Sequence, residues 1–537
     1  MKKPYLFFFS LAICISSYAQ VTFTSSSPFN TSYTDRAVVD MNGDFLDDVV
    51  SVNSTHIQIF YQQPGGSFNE LNISTSPADN TPSWSLAAGD YDDNGYTDLL
   101  YGGGNGVTLM RANNNGTAFT EISYPQFVFS QRSNFVDINN DGHLDAFVCH
   151  DVAPNVYYLN DGNGDLTFHQ GGIGDYPTGG HYGSVWIDYD NDGDMDMFNA
   201  KCNVGGDLND RSADRLHNND GSGTFTEVAQ VAGLYDEMQT WSSAWADYDN
   251  DGYMDVFVGS SAPGAPHKLK RNNGDGTFTD ISAGTGINAL TSVGIENCTY
   301  DFDNNGYADI LSNGNLLLNN GDLTFTLFSN VVPSDNGALG DLNNDGFIDA
   351  FVNGNVYFNN GNTNHWLTVN TIGVESNRNG IGARVQITSA LGTQIRDVRS
   401  GEGFRFMSTL NTHFGLGADT EITTLTIIWP SGIIDVMDNV AVDQVITIEE
   451  GSTILGLEDT LVNNLISFPN PTSEILNIAS TSEFTNPIYS IFDMNGKRVM
   501  NEKLNSSSIN VSYLAEGNYI LKVADTKTVK TQRFIKK

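Results

Sequence analysis

Seven times between residues 40 and 349 the chain repeats a nine-residue phrase whose positions 1, 3, 5 and 9 all carry a side-chain oxygen. The sets are Asp40, Asn42, Asp44 and Asp48; Asp90, Asp92, Asn94 and Asp98; Asp137, Asn139, Asp141 and Asp145; Asp188, Asp190, Asp192 and Asp196; Asp247, Asp249, Asp251 and Asp255; Asp301, Asp303, Asn305 and Asp309; Asp341, Asn343, Asp345 and Asp349. Position 6 is Gly in six of the seven, with Phe45 the exception. Hard oxygens on alternate residues of a tight loop suit Ca²⁺, which takes about six to eight of them at ~2.3–2.6 Å. Glycine permits the sharp turn, and the backbone carbonyl of position 7 is a natural further ligand. Up to seven Ca²⁺ ions are expected. An EF-hand would need Glu at position 12, where Ser51, Tyr101, Val148, Asn199, Val258, Ser312 and Val352 stand instead. Catalytic carboxylate pairs are the competing reading, but an active site is normally single and these clusters come in seven near-identical copies. No residue is assigned a catalytic role.

The elements that must hold these loops are short strands. Most phrases run into an apolar stretch such as Val49-Val50, Ala146-Phe147-Val148 or Val256-Phe257-Val258. Between copies a second phrase recurs, as YLNDGNGDLTF from Tyr158, LHNNDGSGTFTEV from Leu216, LKRNNGDGTFTDI from Leu269 and LLNNGDLTF from Leu317. Asn, Gly and Asp between two β-rich runs mark a tight hairpin. Each unit of 40 to 59 residues therefore holds about four strands, the pattern of propeller blades. A linear β-array is the alternative. The seventh unit lacks the TFT phrase after Val356 to Asn362, and Thr22-Phe23-Thr24 supplies one ahead of the first motif, so the N-terminal segment is expected to complete the seventh blade.

The 537 residues include 64 Asp or Glu against 25 Lys or Arg, a net charge of -39. Nucleic acid and anionic membrane surfaces need a positive patch and are not expected partners. Apolar residues at 39% and aromatics at 11% support folded domains. Residues 1–19 read as a signal peptide: Lys2 and Lys3, the apolar run Tyr5 to Ile15, and Ser17-Tyr18-Ala19 before a cut. No later segment is long and apolar enough for a transmembrane helix. Cys149, Cys202 and Cys298 remain after cleavage and read as small buried hydrophobes.

The pattern D-x-[DN]-x-[DN]-G-x-x-D before a strand resembles the FG-GAP or VCBS repeat of secreted β-propellers, over residues 20–362. That resemblance implies calcium ligation by positions 1, 3, 5 and 9. Residues 363–450 lose the repeat and carry Arg378, Arg384, Arg396, Arg399 and Arg405. The phrases NHWLTV, SNRNGIGARV, HFGLG and WPSG are similar to those of the ASPIC/UnbV domain, here a small β-domain. Its arginines suit either an acidic ligand or the acidic ring, and His413 is read as part of a structural turn. After a linker at 451–465, residues 466–537 resemble the type IX secretion C-terminal sorting domain. Pro469-Asn470-Pro471, Asp493 with Gly496-Lys497, Gly517-Asn518-Tyr519 and the basic end carry that likeness. The resemblance implies an Ig-like β-sandwich, with the type IX translocon and its sorting peptidase as partners.

The expected fold is therefore all-β: a seven-bladed FG-GAP-type propeller, a small β-domain and a sandwich. The expected function is a calcium-stabilised binding or adhesion protein, secreted or held on the outer cell surface, with a glycan or protein ligand. The alternatives are a lyase-like polysaccharide-active enzyme on a calcium propeller and a structural surface protein. No G-x-S-x-G or H-E-x-x-H motif is present.

Overall fold

Each nine-residue phrase forms the turn between the first and second strands of a four-stranded antiparallel sheet. The computed structural model describes residues 21–31, 33–174, 179–202 and 212–453, and, beyond these, 465–468, 471–480, 487–493, 497–504, 506–515, 517–524 and 529–537. The signal peptide and residues 454–464 of the linker lie outside the described residues. The chain divides into two compact units, Met1–Ile454 and Leu455–Lys537.

Seven such sheets make up residues 23–359. Their first strands are Thr34–Val38, Leu86–Gly89, Ser130–Val136, His181–Ile187, Thr240–Ala246, Asn297–Tyr300 and Ala338–Gly340. The second strand of a sheet tends to an apolar run because both faces are covered, as in the wholly buried Val49–Val52 and Asp98–Gly102. The fourth strand meets water, and Phe68–Ser74 mixes polar with apolar residues accordingly. First strands of the first six sheets pack side by side, the seventh sheet shares a buried cluster with the sixth, and Ala338–Gly340 packs back against Thr34–Val38, closing a ring. The seventh sheet is completed from the other end of the chain. Phe23–Ser26 pairs antiparallel with Asn355–Asn359, Phe23 opposite Asn359. This architecture is a β-propeller.

The hairpin phrases do more than turn. The Nδ2 of Asn160, Asn219, Asn272, Asn319 and Asn359 each donates to the position-2 carbonyl of the preceding blade's loop, at 2.8–3.4 Å. One buried amide thus ties each of these blades to its neighbour.

Residues 365–449 form two further sheets. One places His365–Ile372 between Thr412–Gly417 and Gln444–Glu449; the other is four-stranded, around Arg384–Ser389 and Glu421–Ile428. This module shares its core with the ring: Leu367, Val385, Phe414 and Trp429 belong to one buried cluster with Leu100, Leu109 and Phe135. Its segment 398–411 threads the centre of the propeller. Val38 N–H donates to Met407 O at 2.9 Å, Leu86 N–H to Arg405 O at 3.2 Å, and Thr409 N–H to Leu339 O at 2.9 Å. Arg132 Nη1 donates to Phe406 O, Thr299 N–H to Glu402 and Arg399 Nη2 to Trp245 O. The Phe404 ring stacks 6.0 Å from Tyr182. Every blade therefore touches this plug.

The second unit is a sandwich of a three-stranded and a four-stranded sheet around Leu476, Ile491, Ile509, Leu521 and Phe534.

Candidate metal centres

The loop is built the same way seven times. The position-1 carboxylate accepts the N–H groups of positions 5 and 6, at 2.7–3.3 Å. The position-5 oxygen accepts the N–H of position 7. Winding this tightly needs left-handed backbone at two places. Position 6 has φ from 64° to 96°, which Gly adopts freely and Phe45, at 64°, does not. Position 4 is also left-handed, and it is always Gly, Asp or Asn (Gly43, Asp93, Asn140, Asn191, Asn250, Asn304, Asn344), the types that tolerate it. Position 4 carries no proposed ligand, so its pattern escapes a search for oxygens; residue type alone would have revealed it.

Position 9 is the most deeply placed. Asp48, Asp98, Asp145, Asp196, Asp255, Asp309 and Asp349 are at most 1% exposed. One oxygen of each accepts the N–H of position 2, and the other accepts an N–H from the third strand, at 2.7–3.3 Å. The carboxylate therefore staples two strands and the loop together.

Three carboxylates bring oxygens within 4.8 Å of one another in four loops: Asp90, Asp92 and Asp98; Asp188, Asp190 and Asp196; Asp247, Asp249 and Asp251; Asp301, Asp303 and Asp309. The loops at 40, 137 and 341 form no such triple among the described residues. There position 3 is Asn, and Asn42, Asn139 and Asn343 donate to the position-5 carboxylates of Asp44, Asp141 and Asp345. Position 5 is Asn in the loops at 90 and 301, where Asn94 and Asn305 donate to strand carbonyls.

Two observations show what the loops lack. The Oδ1 atoms of Asp92, Asn139, Asp190 and Asp249, all position 3, are buried without a hydrogen-bond partner. Burial, reinforced by neighbouring carboxylates, pushes Asp145 and Asp255 up to about 8 and Asp196 to about 9. Position 1 rises as well, Asp90 and Asp247 to about 7. Buried charges of one sign need a counter-charge, and orphaned oxygens need a ligand-seeking partner. The donor set fits a hard divalent cation.

Replacing Asp196 by Ala strands the buried N–H groups of Tyr189 and Asn219. The expected loss is about 2–6 kcal/mol without calcium, at ~1–3 for each unsatisfied donor, and more with calcium, where an ion ligand goes as well. Asp190→Ala removes an orphaned oxygen together with the acceptor of the Asn218 amide at 2.9 Å, so it should cost little without calcium and clearly more with it. Urea unfolding of both variants, with and without calcium, measures the contrast.

Family models match the chain in three places. The FG-GAP-like repeat matches residues 40–101, 90–148, 137–198 and 204–258, ASPIC and UnbV matches 373–454, and the secretion system C-terminal sorting domain matches 467–537. The chain is an FG-GAP-repeat protein with an ASPIC/UnbV module and a type IX sorting tail. No curated protein matches it. Among solved structures, the extracellular domain of BT4673 from B. thetaiotaomicron is similar at 9% identity, covering 97% of this chain and 58% of that one, with a TM-score of 0.39. The biofilm matrix protein Bap1 of V. cholerae is similar at 10% identity, covering 96% and 70%, with a TM-score of 0.32. This chain thus spans little more than half of the BT4673 domain. The sorting tail implies export to the cell surface or beyond and contact with the type IX machinery. No helix among the described residues is long and apolar enough to cross a membrane.

The ASPIC/UnbV motifs acquire a physical meaning beside the FG-GAP loops. Arg378 Nε lies 3.4 Å from Asp90 Oδ2, and Arg384 Nη2 donates to Asp188 O at 2.7 Å while its Nε pairs with Asp397. Arg399 and Arg405 also reach the ring: Arg399 Nη2 donates to Trp245 O, Arg405 pairs with Asp335 at 2.7 Å, and the buried Arg396 is attracted by the charge of Asp301. The glycines of these motifs permit close approach. A Cβ at Gly415 would overlap Asp301 and Asn304 of the sixth loop, and one at Gly346 of the seventh would overlap Trp366. His413 is not in a turn. It lies on the strand Thr412–Gly417, buried, with Nε2 donating to Gly346 O at 3.0 Å and burial lowering its ring to about 4. Its flanking glycines, which suggest a turn, serve strand-to-loop packing instead. Cys149, Cys202 and Cys298 are buried and unbridged.

Proposed function

We propose that the protein is a calcium-stabilised extracellular propeller that binds a glycan or protein ligand and acts in adhesion. The observation that carries the calcium reading is the repeated loop whose buried carboxylates converge in four copies, in three of which Asp92, Asp190 or Asp249 keeps an unpartnered oxygen. Asp188, Asp190, Asp192 and Asp196, and their equivalents in the other loops, would hold the ion, which supplies the positive charge that the ring's acids lack. The sorting tail supports an extracellular task. A rigid ring presenting loops on its face suits binding rather than turnover.

Two measurements test this reading. Equilibrium dialysis of the mature chain should find four to seven calcium ions, four being the loops with converging carboxylate triples. Fewer than four would overturn the assignment. A glycan array, with a pull-down from extracellular material, should return a ligand; an empty result in both favours the structural alternative.

A further inference from the structure

We propose that the propeller face opposite the metal loops carries a binding site for a sugar chain bearing carboxylates. This rests on the reading of the protein as an extracellular binder, and gives that reading a place and a ligand class.

The metal loops follow the C-terminal ends of the first strands, so residues at their N-terminal ends rim the other mouth of the ring. A cavity of about 650 Å³ opens there, with Tyr33, Arg36, Trp84, Asp335, Arg405 and Phe406 among its walls. That volume lies within the ~300–1,000 Å³ usual for small-molecule sites. Its walls come from two parts of the chain. Tyr33, Arg36, Trp84 and Asp335 belong to the ring, whereas Arg405 and Phe406 belong to the tip of the ASPIC/UnbV plug. The site is complete only when the plug is seated.

The chemistry of the walls selects the ligand. Trp84 lines the cavity, and from its edge an aromatic cluster continues: Trp84, Tyr182 and Trp241, from three blades, are half-buried and gather around the buried Phe404. Ring centres lie 4.9 Å apart for Trp241 and Phe404, 5.0 Å for Tyr182 and Trp241, and 6.0 Å for Trp84 and Phe404. Amphipathic aromatics held this way offer rigid apolar faces beside polar edges, which is what the C–H face of a sugar ring needs. The two arginines supply the second half. Residues 20–362 hold nine bases against 46 acids, yet Arg36 faces this cavity and the plug adds Arg405 beside it.

Both guanidinium groups are held in place. Arg36 lies over the Phe406 ring at 5.5 Å, and Arg405 Nη1 pairs with Asp335 while its backbone N–H donates to Glu296. A planar fork of donors matches a carboxylate in two parallel bonds, which a lysine cannot do. Asp335 is placed beside them to accept sugar hydroxyls.

The test is titration calorimetry of the mature chain in calcium with hexagalacturonate, against maltohexaose as the neutral chain of equal length. Hexagalacturonate should bind and maltohexaose should not. Trp84→Ala and Arg405→Gln should each weaken binding at least tenfold, Arg405→Lys should restore only part, and all three should stay folded in calcium with one cooperative transition above the assay temperature. Equal binding of maltohexaose would overturn the carboxylate class. Hexagalacturonate binding untouched by Trp84→Ala and Arg405→Gln would overturn the location while leaving the protein a glycan binder. No binding of either probe would overturn the inference, and the array and pull-down above then decide separately whether the broader reading falls with it.

Discussion

Stripping calcium from the folded protein should lower its melting temperature by about 10–25 °C. Extracellular sites typically bind calcium with Kd of ~10⁻⁴–10⁻³ M. At ten to a hundred times Kd, each ion contributes about 1.4–2.7 kcal/mol to the folded state. Four loops with converging carboxylates then contribute about 6–11 kcal/mol together, at ~2 °C per kcal/mol for a unit of this size. The calcium-free protein should also show an inverted pH dependence. Burial raises Asp145 and Asp255 to about 8 and Asp196 to about 9 in the folded chain, whereas an unfolded Asp titrates near ~3.9. Between these values the folded state binds more protons, so stability is greatest in acid and is lost as pH rises toward 9. Calcium-free protein should therefore melt higher at pH 5.5 than at pH 8.5. With calcium the trend should flatten or reverse, since protons compete with the ion. Scanning fluorimetry at both pH values, with and without chelator, checks this. A calcium-free protein that melts no higher in acid would overturn the burial argument, and insensitivity to chelator would overturn the metal.

The ring was legible in the sequence because its physics is local. An Asp that must accept the amides four and five residues on, and a Gly that must adopt positive φ, sit within one nine-residue phrase. The closing strand was legible as well: Thr22-Phe23-Thr24 fills a gap left by the seventh unit, and Phe23–Ser26 lies where that gap predicted. The amides of Asn160 and Asn272 were visible only as turn residues, because their carbonyl partners, at Tyr91 and Tyr189, are 69 and 83 residues away. The plug was least legible. Residues 398–411 show no periodicity, and their backbone partners at Arg36, Leu86 and Leu339 are fixed by threading through a closed ring. Five arginines beside an acidic repeat were the one available hint, favouring the ring over a ligand without placing a single contact.

Gly401→Val should destabilise ring and module together by about 3–5 kcal/mol. Gly401 sits in the plug at φ 90°, where a β-branched residue is strained, and a Cβ there would overlap Arg132 Nη2. Arg132 cannot retreat cheaply. It is wholly buried, and its Nη1 holds Phe406 O at 2.8 Å. Shifting the plug instead breaks the bonds from Phe404 and Arg405 to Glu296 and from Thr299 to Glu402, leaving buried carboxylates uncompensated. Gly65→Val, in an open turn with nothing near its Cβ, is the control and should melt like the parent. The form of the transition matters as much as its midpoint. Leu367, Val385 and Trp429 share one buried cluster with Leu100 and Phe135, so loosening the plug removes core from both partners at once. One cooperative transition, shifted downward, is the expected calorimetric trace for this unit. An early separate melting of the module above an undisturbed ring would show that the plug only occupies the channel. A single shifted transition would show that the channel is stable because it is filled, and that the ASPIC/UnbV module is the eighth structural partner of seven blades.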